Sequence, residues 1–242
     1  MKYIILITGI IAVTNLFGQE FKKIDYQVDF GTTFSIPYKK TIEIWTNIEG
    51  HPKTDYSSGF GYFFEFMISY NINTNLAIIS GLNYNLNKFE IYDKIGLTES
   101  KGDLTSSYLH LPILINYSVS DKLPISISAG TYLEFLINAR EKGTSYIDTA
   151  GFVFGDVPDP VIVAIEPVQD YNNDIKKNYK DFDFGLSVQL DYKLTLSDRL
   201  LCVVFSRFNY GLLDVITNDI QVNSSASKWK NYNLLIGIGL KL

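Results

Sequence analysis

The sequence predicts an all-β protein: an eight-stranded antiparallel transmembrane up-and-down β-barrel with long loops at one end. Three observations predict it. Apolar and polar residues alternate with period 2 in eight separate stretches. Most of those stretches run past the roughly 9–11 residues that cross a bilayer at a tilt. The connections between them are alternately long and short.

Period 2 means strand, because successive side chains point to opposite faces. Residues 180–194 show it without a break. Phe182, Phe184, Leu186, Val188, Leu190, Tyr192 and Leu194 form one face, and Asp181, Asp183, Gly185, Ser187, Gln189, Asp191 and Lys193 the other. The first strand covers 24–36, with Tyr26, Val28, Phe30 and Phe34 against Asp25, Asp29, Thr33 and Ser35. Residues 58–72 set Phe60, Tyr62, Phe64 and Ile68 against Gly61, Glu65 and Ser69. Residues 76–88 set Leu82, Tyr84 and Leu86 against Asn83, Asn85 and Asn87. Residues 106–119 set Leu109, Ile113 and Ile115 against His110 and Asn116. In 125–140 the apolar face is Ile127, Leu133, Phe135 and Ile137, and Ser126, Glu134, Asn138 and Arg140 lie opposite. The stretch 180–194 is the sixth strand. Residues 199–212 place Arg207, Asn209 and Gly211 inward and Phe208, Tyr210 and Leu212 outward. Residues 229–242 close the set, with Leu234, Ile236, Ile238 and Leu240 against Asn233, Gly237 and Gly239.

Tight turns are expected at 73–75, 120–124 and 195–198. Long links are expected at 37–57, 93–105, 141–179 and 213–228. Short and long links fall on opposite ends, as in outer-membrane barrels with short periplasmic turns. An even strand number puts both termini on the periplasmic side. A closed barrel also satisfies every backbone group inside lipid. A soluble eight-stranded barrel would hold its large apolar groups inside. Here the polar face holds glycine, serine and charges of both signs. The apolar face carries tyrosines near strand ends, as interfacial girdles do.

The bulk numbers agree. The chain has 242 residues, 46% hydrophobic and 14% aromatic, with a net charge of −5. That charge offers no footprint for nucleic acid. Cys202 is the single cysteine, so no internal disulfide can form. Residues 1–18 read as a signal peptide: Lys2, an apolar run from Ile4 to Phe17, then Gly18. A retained anchor is the alternative. The barrel domain is then 19–242.

Residues 106–119 (SSYLHLPILINYSV), 126–139 (SISAGTYLEFLINA), 181–194 and 206–215 (SRFNYGLLDV) resemble the PorT-like outer-membrane β-barrel domain family. The resemblance implies a barrel in the bacterial outer membrane. It carries no shared catalytic residues. It implies, for some members, a part in protein secretion across that membrane.

Glu65, His110, Glu134 and Arg207 fall at similar middle heights and point inward. They read as a lumen network, with Arg207 paired to one or both glutamates and His110 bonded nearby. Buried charges need partners whatever the protein does. A proton path or ligand site is the functional alternative. No catalytic set, metal site or cofactor is expected. The two histidines, His51 and His110, lie in no ligand spacing.

The longest link, 141–179, carries an apolar run at Val161, Ile162, Val163 and Ile165. It either folds back over the barrel mouth or meets a protein partner. The expected role is a non-enzymatic scaffold or binding protein acting through its outer loops, surrounded by outer-membrane lipid. A small lipid-modifying enzyme and a narrow pore are the alternatives.

Overall fold

A computed structural model describes residues 24–38, 41–43, 53–95, 98–120, 123–147, 167–197, 200–216 and 230–241. Residues 1–18, expected as a signal peptide, and the apolar run at 161–165 lie outside them.

Ten strands form one antiparallel sheet among the described residues. They are β1 (Ile24–Ile36), β2 (Thr41–Glu43), β3 (Lys53–Asn71), β4 (Leu76–Ile95), β5 (Thr98–Ser120), β6 (Leu123–Ile147), β7 (Pro167–Asp174), β8 (Phe182–Ser197), β9 (Leu200–Gly211) and β10 (Tyr232–Lys241). Eight of them close a barrel in the order β1-β10-β9-β8-β6-β5-β4-β3, and β3 pairs back to β1 from Ile24↔Tyr70 to Ser35↔Gly59. The short strands β2 and β7 are additions, one on the edge of β3 and one on that of β6.

The alternation has a direct physical counterpart. Phe30, Phe64, Ile113, Val188, Leu190 and Ile236 are each more than half exposed on the outside. Asp29, Asn83, Ser128, Asp183 and Asn209 are wholly buried on the inside. This polarity is the reverse of a soluble barrel. Exposed apolar side chains circle the whole barrel, far beyond the few hundred Å² of contiguous apolar surface usual for a soluble monomer. A bilayer removes that surface from water.

The turn at 73–75 is built by Asn73, whose side-chain oxygen accepts from the backbone N–H of Asn75 at 2.9 Å and Leu76 at 2.8 Å. This local bond is what favours asparagine in tight turns. β1 begins and β10 ends at this short-turn end, where Lys241 bonds Asp25 at 2.9 Å.

The opposite end departs from the sequence expectation. Residues 93–105, expected as a loop, are strand except at 96–97, which lie outside the described residues. Likewise, 141–147 continues β6 and 167–174 forms β7. β3, β4, β5 and β6 therefore rise well past the apolar band on one side of the barrel. The cause is an inversion of polarity along each strand. In β4 the outward residues change from Leu82, Tyr84 and Leu86 to Lys88 and Glu90. The inward ones change from Asn83, Asn85 and Asn87 to Phe89 and Ile91, which are 1% and 6% exposed. The alternation persists, but its phase is that of a water-facing sheet.

Arg140 is a second correction. It was expected inward, yet it is exposed. The register shifts where Tyr108 faces Leu136 and Ser107 faces Asn138. Ile137 is the extra residue of a β-bulge, which flips the facing of everything after it. Ala139 turns inward, and Arg140 and Lys142 turn outward.

Candidate functional site

The lumen is a chain of polar pairs wedged between aromatic rings. Arg207 of β9 donates from Nη1 to Glu65 Oε2 at 2.7 Å and from Nη2 to Glu65 Oε1 at 2.8 Å. Its Nε donates to Gln189 of β8. Asn83 adds a donor to the same glutamate at 2.8 Å. The guanidinium sits 5.4 Å from the Phe205 ring, and Phe205 packs with Phe63 and Leu235. These rings lie over glycine: a Cβ on Gly237 would come within 2.5 Å of Phe63 and 2.8 Å of Phe205. The barrel is narrow enough that glycine on one wall makes room for an aromatic from another.

His110 and Glu134 form the second pair, Nδ1 to Oε1 at 2.8 Å, with both side chains wholly buried. The His110 ring stacks on Tyr132 with centroids 4.6 Å apart. Among the described residues its Nε2 meets no hydrogen-bond partner. The four inward residues of the sequence reading are thus joined as two pairs. The acidic partner of Arg207 is Glu65, and Glu134 belongs to His110. Sequence reasoning missed the neighbours that complete each pair, Gln189, Asn83 and Tyr132, because a strand pattern gives facing but no cross-barrel distance.

Above these pairs the mouth at the tall end is covered. After β7 the chain turns inward through Ile175, a short 3-10 helix (Lys176–Asn178) and Tyr179. Ile175 N–H donates to Ala139 O at 3.0 Å, and Lys180 N–H to Val215 O at 2.7 Å. Tyr179 also bridges Ile216. Ile175 and Tyr179 pack on Phe89, Ile91, Leu104 and Val215 on one side and on Tyr108, Leu136 and Ala139 on the other. These residues form an apolar stopper over the polar lumen.

The inner face of the extension carries two acids beyond the apolar band. Burial holds the Asp93 carboxyl above its usual range. Burial, and then the nearby charge of Asp93, does the same for Glu141.

The outer face of the extension is different. A groove of about 700 Å³ lies there, lined by Glu90, Tyr92, Lys101, Asp103, Lys142 and Asp170 among others. Gly102 and Gly143 also line it. Sequence reasoning missed this groove because it treated its strands as loops.

Residues 17–217 match the family model described as outer membrane protein beta-barrel domain. The chain belongs to this outer-membrane β-barrel family. No curated protein matches it. Similar solved structures include the outer membrane protein OprG from Pseudomonas aeruginosa, at 13% identity and a TM-score of 0.45, covering 91% of this chain and 97% of that one. AlkL, determined in lipid bilayers, is 14% identical with a TM-score of 0.39 and 93% of both chains covered. Neisserial surface protein A is 12% identical with a TM-score of 0.39, covering 90% of this chain and 96% of that one. The family places the chain in the bacterial outer membrane.

Proposed function

We propose that this barrel is a non-conducting, non-enzymatic scaffold of the cell envelope. Its outer end binds a protein partner and both of its termini lie in the periplasm. The observation that carries the reading is the double closure of the lumen. Arg207 and Glu65 cross its middle, and the stopper built on Tyr179, Phe89, Leu104 and Val215 covers its mouth. An eight-stranded barrel is only wide enough for its own side chains, and this one uses that width for bonded pairs and rings. What remains for function is the tall outer end and the segment with Val161, Ile162, Val163 and Ile165. The PorT-like resemblance of the strands favours a secretion or envelope complex as the setting.

The histidine bears on one enzymatic alternative, a hydrolase built on His110. A hydrolase of the Ser–His–acid kind would need a nucleophilic hydroxyl on the free nitrogen of a histidine held by its acid. His110 has the acid, but among the described residues its buried Nε2 meets no hydroxyl.

Crosslinking in intact cells tests the proposal. Deleting residues 157–166 should abolish capture of the partner while the barrel keeps its heat-modifiable gel mobility, and His110→Ala should leave capture intact. Unchanged capture after the deletion overturns the loop as the contact. A large, steady conductance in planar bilayers overturns the closed lumen. A lipid-hydrolysis activity lost in His110→Ala installs the enzyme in its place.

A further inference from the structure

The groove on the extension is turned sideways. Glu90, Asp103 and Lys142 stand in one row across β4, β5 and β6. Tyr92, Lys101, Thr144 and Asp170 stand in the next row, which reaches β7. All share the outward face with the lipid-facing residues of the same strands, so they look along the membrane surface and away from the barrel axis. Between them and the apolar band runs a row containing Lys88, Thr105 and Arg140. Just below that row come Phe135 and Ile137, both exposed. The groove therefore sits at the height of the lipid headgroups, directly over the acyl chains.

Its chemistry is mixed in a specific way. Lys101, Lys142 and the neighbouring Arg140 are exposed cations. Glu90, Asp103 and Asp170 supply carboxylates within the same groove. Tyr92 offers a ring, with Lys101 Nζ 5.7 Å from its centre. Gly102 and Gly143 line it through their backbone alone, since a Cβ on either would turn to the other face, within 2.6 Å of the Tyr171 hydroxyl. A phospholipid headgroup with no cation would use the lysines and leave the carboxylates facing its phosphate, and a zwitterionic one would give its ammonium to the carboxylates but no C–H face to the ring. A phosphorylated sugar uses both. Its phosphates accept from lysine and arginine, its hydroxyls donate to carboxylates, and its C–H face lies on the aromatic ring.

We propose that this groove seats the phosphorylated saccharide headgroup of a lipid in the surrounding leaflet. The site rests on the reading that the tall end faces outward, and it gives the barrel a fixed lipid neighbour on one side.

The test uses the full chain in detergent micelles, with purified lipopolysaccharide as the probe and native mass spectrometry as the readout. Lipopolysaccharide should bind the wild-type chain and bind Lys101→Ala/Lys142→Ala roughly thirtyfold more weakly, the worth of two cations at a lipid headgroup. Heat-modifiable mobility checks that the variant is folded, and Lys101→Arg/Lys142→Arg, which keeps the charge, should retain most of the binding. Equal binding by the alanine variant overturns the proposal. So does equal binding of phosphatidylglycerol, or displacement of the lipid by an equimolar amount of inorganic phosphate. Orientation is read separately by labelling Thr98→Cys, in a Cys202→Ser background, with an impermeant maleimide on intact cells. Labelling with no lipopolysaccharide binding overturns the groove alone. Failure to label overturns the outward orientation and the proposal with it.

Discussion

Arg207 and Glu65, separated by 142 positions in sequence, meet through two hydrogen bonds of 2.7 and 2.8 Å, with neither side chain exposed. Each satisfies a charge that the narrow lumen would otherwise strand.

Breaking that pair from one side should be expensive. Arg207→Ala or Glu65→Ala leaves an uncompensated buried charge and should cost about 3–5 kcal/mol. Glu65→Leu/Arg207→Met, which removes both charges, should recover most of the loss. Urea unfolding in lipid vesicles, run as a double-mutant cycle, measures the coupling. Additive losses would show that the two groups do not act as a pair.

Depth along the outer surface should be legible in arginine scanning. Leu186→Arg, in the middle of the apolar face of β8, should cost about 2–4 kcal/mol. Leu196→Arg, at the short-turn end of the same strand, should cost about 0–1 kcal/mol. Both leucines are exposed in the barrel, so burial within the protein predicts no difference. Equal costs would remove the membrane from the argument.

The glycine wall is open to a volume test. Gly237→Ala pushes on the rings of Phe63 and Phe205 and should cost about 1–3 kcal/mol. Gly237→Val should cost more. Gly237→Ala/Phe63→Leu should recover part of the loss, because the smaller residue frees the space. Thermal loss of heat-modifiability ranks the three.

The strand extension should loosen as pH rises. Asp93 and Glu141 are held above the usual carboxylate range, so the folded extension binds protons more tightly than the unfolded chain. Their contribution is complete below the unfolded carboxylate values of about 3.9 and 4.3. It is lost as pH climbs through the higher folded ones. Amide exchange in 89–95 and 140–147, corrected for intrinsic rate, should quicken over that rise. Asp93→Asn should flatten the profile, and an unchanged profile would exclude Asp93 as a source.

The barrel was legible because its signal is long and redundant. Ile24–Ile36 alternates in sequence and is β1 in the structure, with the same bounds. Facing followed wherever the outward side stayed apolar. It was not read for Phe89, Ile91 and Leu104, which lie past the strand ends expected at 88 and 106, where the apolar residues change sides. It failed at Arg140, because a bulge adds one residue without a mark such as glycine. Inward facing could be read for Glu65, His110, Glu134 and Arg207. Which glutamate meets the arginine could not, because that depends on barrel closure and strand stagger.

Closure is made by β1 against β10, from Gln27↔Lys241 to Ile36↔Tyr232. The first barrel strand to leave the ribosome thus waits for the last. Until the final residues arrive, β1 and the growing end each present an open ladder of amides and carbonyls, the kind of edge that templates aggregation. Pairings so distant in sequence are slow to find. An unclosed chain on its way to the membrane is therefore open to wrong pairing at both ladders, and loss of β10 would leave no partner for the seam.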